Sequence, residues 1–295
     1  MLHPCVGWRT GLISPCISLA PSSIVRSDYY SFQHEDISGV VVTGIEAIIL
    51  GIVEGLTEFL PVSSTGHLIL TSELLRLPQT EAHKVFEVAI QLGAILAVAC
   101  LYWRKLVARS DLLLKLAFGF LPTGIIGLTL YKLVKNLFDA SVVSVSLIIG
   151  GLAFFAMEYY LKNHRPAIED AGDVSYRTAF TIGLVQCVSM IPGVSRSGAT
   201  IIGGLLCGMN RTAAAEFSFL LALPTMLAAT CYDVYKNSAA FRGGDWDNLL
   251  IGFVVSFIFS IIGIKVLIRF VANHTFIPFG VYRIIAGALF LFFIF

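Results

Sequence analysis

The chain has 295 residues, of which 57% are hydrophobic and 13% charged, with a mean hydropathy of +0.84. Soluble domains carry about 25% charged residues, so a soluble globular protein is excluded and an all-α polytopic membrane protein is expected. The net charge of +1, without a basic patch interleaved with aromatics, leaves no nucleic-acid partner in view.

In chain order, residues 1–39 stand apart. Arg9 and Arg26 lie among serines, and no acid precedes Asp28. This resembles a transit peptide in composition, but "GLISPCISLA" is broken by Pro15, and a poorly ordered N-terminal extension is the expectation. From Val40 on, ten hydrophobic segments follow, at 40–60, 62–76, 83–103, 111–131, 140–161, 176–191, 196–208, 211–232, 248–270 and 277–295. A spanning helix needs about 20 apolar residues. The second and seventh segments are too short, and each follows a proline (Pro61, Pro192) and a polar cluster. Such broken segments read as re-entrant hairpins or discontinuous helices. Of the six cysteines, none forms a C-x-x-C pair, and neither a disulfide framework nor a zinc site is expected.

The segment "GIVEGLTEFLPVSSTGHLIL" from Gly51 carries Glu54, Glu58, Ser63, Ser64, Thr65 and His67 in an apolar setting. Glu54 and Glu58 are four apart, hence on one helical face. A carboxylate at the bilayer centre costs about 2.5–3.5 kcal/mol on insertion scales. Two on one face point to a shared cation, and carboxylates with hydroxyl oxygens suit Mg²⁺ or Ca²⁺. The alternative is a protonated pair bonded to neighbouring helices. Pro61 should end the first helix, and the serines open a second, where one hydroxyl is an ordinary N-cap. Three hydroxyls beside a base and a cation exceed what capping needs. They make a serine here a candidate nucleophile, or else the group that orients an attacking water, with His67, or else Glu58 or Glu54, handling the proton.

A second cluster, "IPGVSRSGAT" from Ile191, places Arg196 inside the membrane, where a guanidinium is costly unless it meets an anion. Its fork matches phosphate. Gly193 and Gly198 would let backbone amides approach, and Ser195, Ser197 and Thr200 add hydroxyls. The competing reading is a structural salt bridge from Arg196 to Glu54 or Glu58.

The two clusters align. Gly51 falls on Gly183, Glu54 on Gln186, Ser63 on Ser195, Ser64 on Arg196 and Gly66 on Gly198. Each half then reads as one re-entrant pair plus three spans, at 40–161 and 176–295, joined by 162–175. An odd number of crossings inverts the second half relative to the first. Lys and Arg are richer in the loops with Arg104, Lys105 and Arg109, with Lys162, Arg165 and Arg177, and with Lys265 and Arg269. These loops should be cytoplasmic, so that the site faces outside.

"EGLTEFLPVSSTGH" and "PGVSRSGAT", with "KVFEVAIQLGAILAV" and "AEFSFLLALP", resemble signatures of the undecaprenyl-diphosphate phosphatases, the bacitracin-resistance membrane proteins. The resemblance covers about Gly44 to Phe295. It implies hydrolysis of a polyprenyl diphosphate lipid, undecaprenyl diphosphate, to undecaprenyl phosphate and inorganic phosphate. That reaction recycles the carrier for peptidoglycan precursors at the outer face of the cell membrane. It also implies an interdigitated inverted repeat and dependence on a divalent cation. Glu54, Glu58, Ser64, His67 and Arg196 fall on the family's functional positions, and Ser64 on its proposed nucleophile. The rival from another class is a lipid-phosphate flippase, since inverted repeats with broken helices are transporter architecture. A transporter needs no nucleophile. A homodimer stays open, with no motif arguing for it.

Overall fold

A computed structural model describes residues 42–78, 80–135, 139–236 and 246–294. The expected extension 1–39 lies outside them. Ten α-helices occur among the described residues: α1 Gly44–Thr57, α2 Ser64–Leu74, α3 Glu81–Ala108, α4 Ser110–Lys135, α5 Ala140–Leu161, α6 Tyr176–Gln186, α7 Arg196–Leu206, α8 Arg211–Lys236, α9 Trp246–Val271 and α10 Ile277–Ile294. Their order and number follow the apolar segments read from the sequence.

Local chemistry sets many of the boundaries. Thr43 opens α1 with a capping box, its amide donating to Glu46 Oε2 at 2.7 Å. Asp139 caps α5 through the Ser141 amide at 2.8 Å, and Ser175 caps α6 through that of Thr178 at 3.0 Å. The first helix ends at Thr57, four residues before Pro61. A proline ring clashes with the carbonyl four residues back, and the residue before proline avoids the α region. The turn therefore begins before the proline itself.

Five helices are long and apolar enough to cross a bilayer, within α3, α4, α5, α8 and α9. With the apolar composition this makes the protein a multi-pass membrane protein. The sixth expected span, α10, has 18 residues, slightly under the usual length. Large apolar side chains on the outer faces, such as Leu128, Leu250, Val266 and Leu289, are exposed, as lipid-facing positions are.

The described residues pack as one unit in which the two halves interleave. α1 lies against α9, α6 against α4, α3 against both α8 and α9, and α5 against α10. Helices in lipid associate through close packing, so small residues mark the contacts. A Cβ on Gly55 would sit 2.6 Å from Ser256 O, and one on Gly51 2.7 Å from Gly252 O. Phe59, Phe217, Phe219 and Leu220 are fully buried at the centre, next to the point where the two broken segments meet.

Candidate active site

The turn after α1 and the start of α2 carry the first set of groups. Glu54 is fully buried and Glu58 is 8% exposed. Ser63 occupies the N-cap position of α2 but makes no side-chain cap bond, and its φ of 72° puts it in the left-handed region. A non-glycine residue held there costs about 1–3 kcal/mol and is typical of functional sites. The consequence is that Ser64, the first helical residue, points at the acid of the preceding turn. Its Oγ donates to Glu58 Oε2 at 2.5 Å.

The second set arrives from α7 and α8. Arg196 NH2 donates to Glu58 Oε1 at 2.7 Å, and Arg196 NH1 to Ser218 O at 3.1 Å. The guanidinium lies 5.8 Å above the Phe59 ring, while its Nε is buried with no partner. Glu58 therefore holds Ser64 with one oxygen and Arg196 with the other, joining residues 138 apart in sequence. A cavity of about 160 Å³ opens onto this trio, with Ser63, Thr65, Ser195 and Gln91 also in its wall.

The other expected residues of this segment bond within the protein. Ser195 caps α7, accepting from the Gly198 amide at 3.1 Å, and lies 2.9 Å from Ser197 Oγ. Ser197 donates to Leu60 O at 2.9 Å, tying the second hairpin to the first. Thr200 meets Ser218 Oγ at 2.6 Å. The Gly198 amide is thus already used by its cap. Gly193 turns with φ 86°, where a Cβ would lie 2.7 Å from Val143 Cα.

The His67 ring is bonded to groups other than the Ser64 hydroxyl. Its Nδ1 is 2.8 Å from Ser63 O and its Nε2 is 2.5 Å from the Tyr282 hydroxyl. The two rings stack at 5.6 Å. Both ring nitrogens are engaged, and the acceptor on the Ser64 hydroxyl is Glu58. Both Glu54 carboxylate oxygens are buried and accept no hydrogen bond from a protein donor, and the carboxyl lies beside that of Glu58. An orphaned carboxylate one turn from a second acid fits a hard cation, which takes oxygen ligands. Among the described residues no three His, Cys, Asp or Glu side chains gather as a metal cluster. Further oxygens would have to come from hydroxyls, water or a ligand.

Several residues here were not singled out by the sequence reading. Arg283 of α10 is 1% exposed and reaches backbone carbonyls of both hairpins. Its signal was present, because it is an arginine inside an apolar helix, the feature that marked Arg196. Gln91, inside "KVFEVAIQLGAILAV", carried the same kind of signal. Tyr282 and Ser218 did not, since a tyrosine or serine in an apolar helix is ordinary.

The family described as bacitracin resistance protein BacA matches residues 47–289 of this chain. An undecaprenyl-diphosphatase of Persephonella marina is 59% identical over 250 residues, covering 85% of this chain and 98% of that protein. One from a Sulfurihydrogenibium species is 56% identical, covering 84% and 98%. One from Methanococcus aeolicus is 45% identical, again covering 84% and 98%.

Proposed function

This chain belongs to the bacitracin resistance protein BacA family, and on that footing we propose that it is an undecaprenyl-diphosphatase. It hydrolyses undecaprenyl diphosphate to undecaprenyl phosphate and inorganic phosphate. The observation that carries the reading at the level of chemistry is the Ser64–Glu58–Arg196 trio at the cavity. A serine hydroxyl already hydrogen-bonded to a carboxylate is poised to lose its proton as it attacks. A guanidinium on that carboxylate's other oxygen is placed to meet a phosphate.

In the proposed reaction, Ser64 Oγ attacks the terminal phosphorus and Glu58 Oε2 takes the hydroxyl proton. The phosphoanhydride P–O bond breaks and undecaprenyl phosphate departs as the leaving group. Glu58 hands that proton to the leaving oxygen, then takes one from a water that attacks the phosphoserine, and returns it to Ser64 Oγ as inorganic phosphate is released. Arg196 neutralises charge on the transferring group, which carries most of the catalysis in phosphoryl transfer. Its partnerless Nε is a donor left over for a phosphate oxygen. Ser63, Thr65 and Ser195 line the same cavity and supply hydroxyls to the diphosphate. Ser197, Thr200 and Gly193 hold the second hairpin in shape. His67 orients the start of α2 through Ser63. A divalent cation, Mg²⁺ or Ca²⁺, would be held by Glu54 and Glu58 and would offset diphosphate charge.

We read the fold as an inverted repeat with two re-entrant hairpins, α1–α2 and α6–α7. These four helices have 14, 11, 11 and 11 residues, short of a full crossing. The packing supports the repeat. α1 lies on α9 as α6 lies on α4. Gly51 faces Gly252 as its counterpart Gly183 faces Gly119. The Lys/Arg loop pattern supports a cell-membrane orientation with the site open to the outside, where the recycled carrier serves peptidoglycan synthesis.

The test is phosphate release from undecaprenyl diphosphate by the purified full chain, with and without chelator. Metal-dependent turnover that collapses in Ser64→Ala and Arg196→Ala, with a phosphorylated Ser64 peptide trapped on rapid quench, is the expected result. Movement of the lipid between leaflets without phosphate release would sink the proposal in favour of a flippase.

A further inference from the structure

Arg283 is the largest fully buried side chain in the described protein, and the chemistry proposed above does not use it. It enters from α10, far in sequence from both hairpins. Its Nε donates to Leu147 O at 3.3 Å and its NH2 to Ser146 O at 3.3 Å, both on α5. Its NH1 donates to Pro61 O at 3.2 Å, and its NH2 also to Gly193 O at 3.1 Å. All four acceptors are backbone carbonyls and none is a carboxylate. The group is therefore not half of a neutralising ion pair. It acts as a fork of donors.

The two outer acceptors identify its task. Pro61 lies in the turn between α1 and α2, and Gly193 in the turn before α7. Irregular backbone at membrane depth must find its hydrogen bonds inside the protein. A single planar guanidinium supplies donors to both turns and anchors them to α5. Ser64 follows Pro61 by three residues, and Arg196 follows Gly193 by three. Fixing the two carbonyls on one rigid group thus fixes the spacing of the two halves of the site. The surroundings are shaped for it, since a Cβ on Gly150 would lie 2.7 Å from Arg283 Cζ.

We infer that Arg283 is a positioning residue of the active site, a clamp whose fork holds the Pro61 and Gly193 turns in register so that Ser64 and Arg196 converge on one phosphate. This deepens the phosphatase reading and rests on it for its kinetic arm. A lysine keeps the charge but offers one ammonium on a flexible stem, and cannot reproduce the planar fork.

The experiment uses the full chain, purified, as Arg283→Lys, with Gly150→Ala as a second variant that crowds the guanidinium without removing it. The kinetic arm reads kcat and KM for undecaprenyl diphosphate. The expected result is a kcat at least tenfold lower with KM within threefold of the parent, because positioning for attack is lost while binding groups remain. The structural arm reads spin-label distances between Leu74→Cys and Leu206→Cys in a cysteine-free background. Both positions are exposed, at the far ends of α2 and α7, and the distance distribution should broaden in either variant. Parental kcat together with an unbroadened distribution in Arg283→Lys overturns the inference. Should the variant fail to purify as monodisperse protein, Gly150→Ala decides by the same two criteria. If the parent itself releases no phosphate, the phosphatase reading falls and the distance arm still decides whether Arg283 clamps the hairpins.

Discussion

Replacing Glu58 by glutamine tests the assignment of the base with little change of shape. Glu58 now accepts from Ser64 with one oxygen and from Arg196 with the other. An amide has only one acceptor oxygen. Arg196 presents donors alone, so the amide must turn its oxygen to the guanidinium and its NH₂ to Ser64. The Ser64 hydroxyl then becomes an acceptor, with no group beside it to take its proton. Loss of a general base costs about 10²–10⁴ in rate, or about 3–5 kcal/mol of barrier at 1.36 kcal/mol per tenfold. The ground state suffers less. One neutral bond to Arg196 survives, so a stability loss of about 1–3 kcal/mol is expected, the cost of one weakened buried contact. The assay is steady-state phosphate release in detergent or nanodiscs, with thermal melting of the same samples. Glu58→Asp keeps the charge but is one carbon too short to span both partners, and should fall between parent and glutamine. A Glu58→Gln protein that melts like the parent and keeps kcat within threefold would refute the reasoning, and the base would have to be sought elsewhere.

Glu54→Gln should abolish the response of activity to Mg²⁺ or Ca²⁺ titration after chelation, since it removes the orphaned carboxylate that suits a cation; an unchanged metal titration argues against a cation there. The hydrogen bond and ring stacking between His67 and Tyr282 should appear as coupling in a double-mutant cycle of His67→Ala and Tyr282→Phe. About 0.5–3 kcal/mol is expected for contacting residues, measured on kcat/KM, and strict additivity would separate the two. Gly55→Val should lower thermal stability by about 1–3 kcal/mol or more through overpacking. Its added Cβ would meet Ser256 O at 2.6 Å, and backbone gives way less readily than a side chain. A melting temperature equal to the parent's would contradict the α1–α9 contact.

The sequence by itself determined the class of protein, the ten helical segments and the polar residues worth watching. These are local properties. Apolar run length sets what can cross a bilayer, Pro61 stops a helix by a clash within four residues, and four-residue spacing puts Glu54 and Glu58 on one face. The tertiary structure decided the partners. Sequence reading left the base on Ser64 open among His67, Glu58 and Glu54, all within one short stretch. The left-handed turn at Ser63 sets the Ser64 hydroxyl on Glu58, while the His67 ring is engaged by Tyr282, 215 residues away, and the proposal of Glu58 as base rests on that geometry. Arg196 was expected to meet an anion, but that Glu58 is its partner depends on how two hairpins from different halves are packed together. Arg283 was visible only as one more arginine in an apolar run. Its role arises because α10 brings it between Pro61 and Gly193, and such a contact depends on the relative placement of three helices, which no local pattern encodes.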